Sequence, residues 1–216
     1  MRESIEPKWV DCFEESFRLS GVSAGDLVAI LAESTSRDVL VQLSERALHR
    51  IGARPIRVTV PTPPLRHIVP VRSTGATYSL DDYPEIMRAL GSCSVVVDCT
   101  VEGLLHSRAR DILLNAGGRV LMISNEHPEV LERCQPDPDV HALALEALVR
   151  LDAASTMRVS SDAGTDLSVD ITGAPSRGGG GILGSDDKVA YWPAGLCLCF
   201  PLPNTVNGTE CRVMRR

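Results

Sequence analysis

Apolar residues recur at helical spacing from Val10 to Leu19, and Gly21 then interrupts the pattern, which predicts an amphipathic opening helix lying across the first sheet. Asp26 to Ala32 (DLVAILA) is an apolar run of strand length. Ser34, Thr35 and Ser36 follow as helix caps, and a helix continues to about Ile51 before Gly52 closes it. Pro55 to Val60 (PIRVTV) supplies a second strand, so the order is β-α-β, which demands a parallel pair. Beyond the proline-rich PTPPLRHIVP, Asp81-Asp82 caps a helix near Tyr83 to Leu90, and Ser94 to Cys99 (SVVVDC) makes a third strand. His106 to Asn115 reads as helix, Gly117-Gly118 ends it, and Arg119 to Ile123 (RVLMI) gives a fourth strand. This alternation predicts an α/β domain with a doubly wound, mostly parallel sheet of Rossmann or flavodoxin type over residues 1–155, closed by a helix from Asp139 to Ala154.

After Thr156 the period changes from that of helices to that of strands. Met157 to Ser161 and Thr165 to Ile171 alternate apolar and polar positions around Asp162-Ala-Gly164, the signature of an antiparallel hairpin. Arg177-Gly-Gly-Gly-Gly-Ile182 is expected to be a flexible loop able to cover a site, and Trp192-Pro-Ala-Gly195 leads into a strand from Leu196 to Phe200. Residues 156–216 thus form a β-rich region. Because ECRVMRR adds no closing element, the expectation is a truncated second domain.

Composition narrows the function classes. Hydrophobic residues are 44% and charged residues 23% of the 216, an ordinary globular balance. A net charge of -6 with a pI near 5.4 leaves no surplus of cations for a phosphate backbone, so nucleic acid is not an expected partner. Neither a signal peptide nor an apolar run of roughly 20 residues is present, which points to the cytoplasm and to no membrane partner. Seven cysteines without a CxxC pair read as reduced thiols; Cys197 and Cys199 share a strand face but lack further soft ligands nearby.

The richest strand-to-helix turn follows the third strand. There Val101-Glu-Gly-Leu-Leu-His106-Ser107 brings Glu102, His106 and Ser107 to the carboxyl edge, where doubly wound sheets bind ligands. Ser107 as helix cap and His106 as solvated neighbour is one reading; His106 as proton donor or substrate clamp is the other. His127 follows the fourth strand in Asn125-Glu126-His127-Pro128, where Pro128 at a helix start accounts for the stretch. His49, His67 and His141 are scattered, and no metal triad, HExxH or GxSxG can be assembled. The first turn, AESTSR, has no glycine, and RGGGG lacks the flanking elements of a phosphate loop, so a dinucleotide cofactor is not expected.

The succession of LLHS (Leu104 to Ser107), HPEVLERC, MRVSSDAGTDLSVDI and YWPAGLCLCFPLPNTVNGT (Tyr191 to Thr209) resembles the 2,5-dihydroxypyridine 5,6-dioxygenase family, a relative of leucyl-aminopeptidase-like metallopeptidases of thermophiles. The resemblance implies a non-haem iron(II) enzyme that opens a dihydroxypyridine ring with dioxygen in nicotinate or nicotine breakdown. It also implies iron ligands (two histidines and an aspartate) in a further domain, so that Fe(II) is expected for the full-length family and no ligand is carried over to this chain. Through LLHS it implies a catalytic role for His106 and substrate-binding roles for Leu105, His106 and Ser107. Peptidase relatives read PxGEV where this chain has Pro193-Ala-Gly195-Leu196, and leucine cannot ligate a metal, which favours the dioxygenase branch. A metallo-aminopeptidase-like fragment and a non-catalytic assembly domain are the alternatives. Apolar strand edges also predict association into a homo-oligomer.

Overall fold

The computed structural model describes residues 4–64, 70, 74–193 and 195–202, with the backbone of 206–210. In chain order the first elements are α1 (Pro7–Leu19), β1 (Leu27–Glu33), α2 (Asp38–Ile51), β2 (Arg54–Val60), α3 (Pro84–Leu90), β3 (Val95–Asp98), α4 (Arg108–Asn115), β4 (Val120–Ile123) and α5 (Pro128–Arg133). There follow α6 (Pro138–Ala153), β5 (Thr156–Ser160), β6 (Asp166–Asp170), β7 (Ser176–Gly179), β8 (Val189–Trp192), β9 (Leu196–Cys199) and β10 (Val206–Glu210). Two compact units result: Met1–Pro138 with Gly181–Ala194, and Asp139–Gly180 with Gly195–Arg216. No helix among the described residues is long and apolar enough to cross a membrane.

The first unit is a five-stranded sheet in the order β2-β1-β3-β4-β8, with every pair parallel. Strands β3 and β4 (VVVD and VLMI) are buried along their whole length, as central strands covered on both faces must be. Side chains alternate along β1. Val28 and Ile30 join Phe13 and Phe17 of α1 and Leu40, Leu43 and Leu48 of α2 on one face. Ala29 and Leu31 join Met87 and Leu90 of α3 and Leu113 of α4 on the other. Phe13 and Phe17 are fully buried, each worth about 1.5–3 kcal/mol in area removed from water. The doubly wound reading therefore holds, with β8 as a fifth strand that the hydrophobic pattern does not foretell.

Local capping differs from expectation. Helix α2 starts after Arg37 without a side-chain cap, because the Ser36 hydroxyl accepts from the Glu33 amide while Ser34 and Thr35 bind Thr62. Asp81 and Asp82 likewise do not cap α3, whose N-cap is Tyr83. Gly52 ends α2 in the left-handed conformation at φ 85°, as the sequence predicts.

In the second unit β5 and β6 form the expected antiparallel hairpin, with β10 on the far side of β6. The glycine run is not a free loop: Ser176–Gly179 is strand β7 and pairs antiparallel with β9. A Cβ at Gly178 would strike the Leu196 carbonyl, and one at Gly180 would lie 2.5 Å from the His141 Cα, so these glycines permit close backbone approach. Asp152 anchors the pair by accepting a 2.5 Å hydrogen bond from the Ser176 hydroxyl.

Candidate functional site

In a doubly wound sheet the crevice where strand order reverses, here between β1 and β3, is the usual ligand site. In this chain it is filled. Glu33 at the end of β1 and Asp98 at the end of β3 are both buried, and Thr77, from the segment before α3, reaches Glu33. The Thr77 hydroxyl donates to Glu33, the Thr77 amide donates to the Gly103 carbonyl, and the Ser107 hydroxyl donates to the Thr77 carbonyl at 3.0 Å. Asp98 Oδ1 accepts from the amide and hydroxyl of Thr100, and its Oδ2 accepts from the Leu104 amide at 2.8 Å. Burial nevertheless pushes the Asp98 carboxyl up to about 6, opposed by these hydrogen bonds and assisted by the nearby Glu33 charge. Such a satisfied network fixes the loop from Thr100 to Ser107 rather than presenting a reactive group.

Displaced one strand along, an open cleft of about 220 Å³ lies beyond the carboxyl ends of β3, β4 and β8. Leu105, Met122, Tyr191 and Trp192 give it an apolar lining, while Glu102, Ser124 and Asn125 are among its polar groups. Its volume is below the roughly 300–1,000 Å³ of drug-sized sites, which suits a single substituted ring. Glu102 Oε2 accepts from the amide and hydroxyl of Thr74, at 3.1 and 2.7 Å. Trp192 is held by donation from Nε1 to the Cys134 carbonyl at 2.8 Å and by an edge contact with Phe13 at 4.8 Å between centroids. A larger groove of about 440 Å³, lined by Ile5, Pro7, Val10, Arg46, His49 and Arg50, sits between α1 and α2. None of its lining residues belongs to a strand-to-helix turn, and Arg50 is already engaged by Asp11 and Glu14, so size does not make it the better candidate.

The residues expected from LLHS have distinct places. Leu105 lines the cleft, and the Arg110 guanidinium donates to its carbonyl. His106 is exposed beside the cleft wall; its amide donates to the Gly75 carbonyl at 2.7 Å, and a Cβ on Gly75 would come within 3.1 Å of its ring. Ser107 is the N-cap of α4, its buried hydroxyl accepting from the Ala109 amide. His127 caps α5 by accepting from the Glu129 amide at 3.2 Å and meets Trp9 edge-on. His141 accepts from the Gly180 amide, His49 is exposed on α2, and His67 lies outside the described residues. Among the described residues no three His, Cys, Asp or Glu side chains are placed to hold a metal ion. The six described cysteines are free thiols, and Cys211 lies outside the described residues.

Sequence reasoning singles out Glu102 at this edge and misses Asn125, Tyr191 and Trp192 as cleft walls. The available signal is position: Asn125 follows β4 as Glu102 follows β3, and a polar residue just past a buried parallel strand stands where ligands bind.

Fold and cleft together define a doubly wound α/β protein with a small, partly apolar cleft at the carboxyl edge of its sheet. The family model for 2,5-dihydroxypyridine 5,6-dioxygenase matches residues 8–212, and the chain belongs to that family. A curated 2,5-dihydroxypyridine 5,6-dioxygenase from Pseudomonas putida is 28% identical over 201 residues, covering 91% of this chain and 56% of its own length. The solved structure of 2,5-dihydroxypyridine dioxygenase from Pseudomonas putida superposes with a TM-score of 0.79 at 28% identity, covering 89% of this chain and 55% of that one. AmpT from Thermus thermophilus shares the fold at a TM-score of 0.50 and 16% identity, covering 90% of this chain and 61% of that one. The chain thus spans about half the length of the relatives named 2,5-dihydroxypyridine dioxygenase.

Proposed function

We propose that this chain contributes the ring-binding part of a dioxygenase that opens a dihydroxypyridine, with the cleft beyond β3, β4 and β8 receiving the ring. Family membership and the single-ring size of the cleft carry this reading. Leu105, Met122, Tyr191 and Trp192 pack against the flat apolar faces of the substrate, and Glu102 and Ser124 offer polar contact at its edge. His106, beside the mouth, takes or gives a proton at a ring hydroxyl or clamps it through its ring nitrogens. The Ser107 hydroxyl is occupied by Thr77 and Ala109, so it serves binding by holding the loop that carries Leu105 and His106.

The family suggests a metal cofactor, and iron(II) is the metal proposed; it supplies activation of dioxygen when bound. The described residues do not by themselves form a ligand set for it. A cytoplasmic setting and assembly of several copies belong to the same reading, the latter supported by exposed Leu143 and Val149 on α6 and Leu198 on β9.

An oxygen electrode and ultraviolet absorbance, applied to the full chain with iron(II) and 2,5-dihydroxypyridine, test the proposal. Oxygen uptake with loss of the ring absorbance supports the complete reading. Binding of the ring without uptake restricts this chain to substrate binding, and absence of both overturns it.

A further inference from the structure

Polar atoms in the cleft wall are unequally satisfied. Glu102 is bound to Thr74, and Thr100 is bound to Asp98. Asn125 stands apart: its Oδ1 is shielded from solvent yet accepts no hydrogen bond among the described residues. A buried carbonyl oxygen is costly to leave without a donor, so such an atom on a residue lining a cleft points to a donor that arrives with the ligand. Asn125 follows β4 directly after Ser124, whose amide donates to the Trp192 carbonyl at 2.8 Å. That bond ties the start of the Asn125 loop to the strand bearing the aromatic wall, which keeps the Asn125 side chain at the cleft edge.

We infer that Asn125 is a specificity-determining residue of this cleft: its side-chain amide turns as the ligand enters, and the carbonyl, shielded and unpaired in the ligand-free chain, accepts a hydrogen bond from a hydroxyl or ring N–H on the ligand. The inference rests on the ring-binding reading above and deepens it: the preferred ligand is a hydrogen-bond donor at the edge facing β4. An O-methylated or otherwise donor-free ring leaves Oδ1 unpaired and is rejected by about ten- to a hundredfold, the scale set by one unsatisfied buried polar group.

The test uses the full chain and two probes, 2,5-dihydroxypyridine and 2,5-dimethoxypyridine. Binding is followed by quenching of tryptophan fluorescence: Trp192 lines the cleft, whereas Trp9 packs on α1 against Glu132 and His127. Wild type is expected to bind the dihydroxy ring at least tenfold more tightly than the dimethoxy ring. Asn125→Leu, which removes the acceptor at similar volume, abolishes that preference while holding dimethoxypyridine within about twofold of wild type. Asn125→Asp, which keeps an acceptor, retains the preference. If the dihydroxy ring binds but Asn125→Leu leaves the preference intact, or weakens both ligands equally, the inference falls and the ring-binding reading stands. Failure of wild type to bind the dihydroxy ring removes both.

Discussion

Replacing Asp98 with Asn probes the network that holds the Thr100 to Ser107 loop. Burial lifts the Asp98 carboxyl from its ordinary 3.8 to about 6, so the folded chain holds a proton there that the unfolded chain has released. Because the folded state binds the proton more tightly, the associated stability is fully present below pH about 4. It is lost as pH rises to about 6, and the curve levels off above. At about 1.4 kcal/mol for each tenfold change in proton affinity, the loss amounts to about 3 kcal/mol. Asparagine removes the titration but can accept through one oxygen only, forfeiting the bond from either Leu104 or Thr100 at about 1–3 kcal/mol. Asp98→Asn is therefore destabilised at pH 4 and approaches or exceeds wild type at pH 7, with the difference between the two moving by about 3 kcal/mol. Urea unfolding of both proteins from pH 4 to 7.5, followed by tryptophan fluorescence, gives the difference curve, in which carboxylates common to both cancel. Glu33 is a neighbouring buried carboxylate whose charge acts on Asp98, and Glu33→Gln in both backgrounds isolates that contribution. A difference that stays flat with pH, or moves in favour of wild type as pH rises, refutes the reasoning.

Ser107→Ala removes both the α4 cap and the tie to Thr77, and is expected to cost about 1–2 kcal/mol in urea unfolding. Gly75→Ala places a Cβ at φ 61° within 3.1 Å of the His106 ring; a loss of about 1–2 kcal/mol and displaced His106 imidazole resonances are expected. Burial pushes the thiols of Cys12 and Cys99 up to about 12, so iodoacetamide at pH 8 should leave both untouched until denaturant is added, while exposed Cys134 alkylates first among the six described thiols by peptide mass spectrometry.

Much of the first unit was legible because its strands are unbroken apolar runs bounded by glycine and polar turns, as in SVVVDC and RVLMI. Only a strand covered on both faces can be so uniformly apolar. β8 escaped because VAYW is four residues after a polar turn, and its partner β4 is separated from it by the hairpin of β5 and β6. The same separation hid the cleft, since Tyr191 and Trp192 meet Ser124 and Asn125 only when β8 pairs with β4. The glycine run misled for a different reason: composition registers conformational freedom, but here the missing side chains serve close contact with β9 and α6. His106 is conspicuous in sequence through its titratable ring, whereas Asn125 has an ordinary amide whose significance lies in an oxygen without a donor among the described residues, a property of packing and not of residue type.

The central claim, that the cleft beyond β3, β4 and β8 receives the ring, is tested most directly by amide NMR of the 23.3 kDa chain during titration with 2,5-dihydroxypyridine. The account predicts saturable shifts at Gly103, Leu105, Ser124, Asn125 and Tyr191. Shifts confined to Val10, Arg46 and His49, in the groove between α1 and α2, would contradict it.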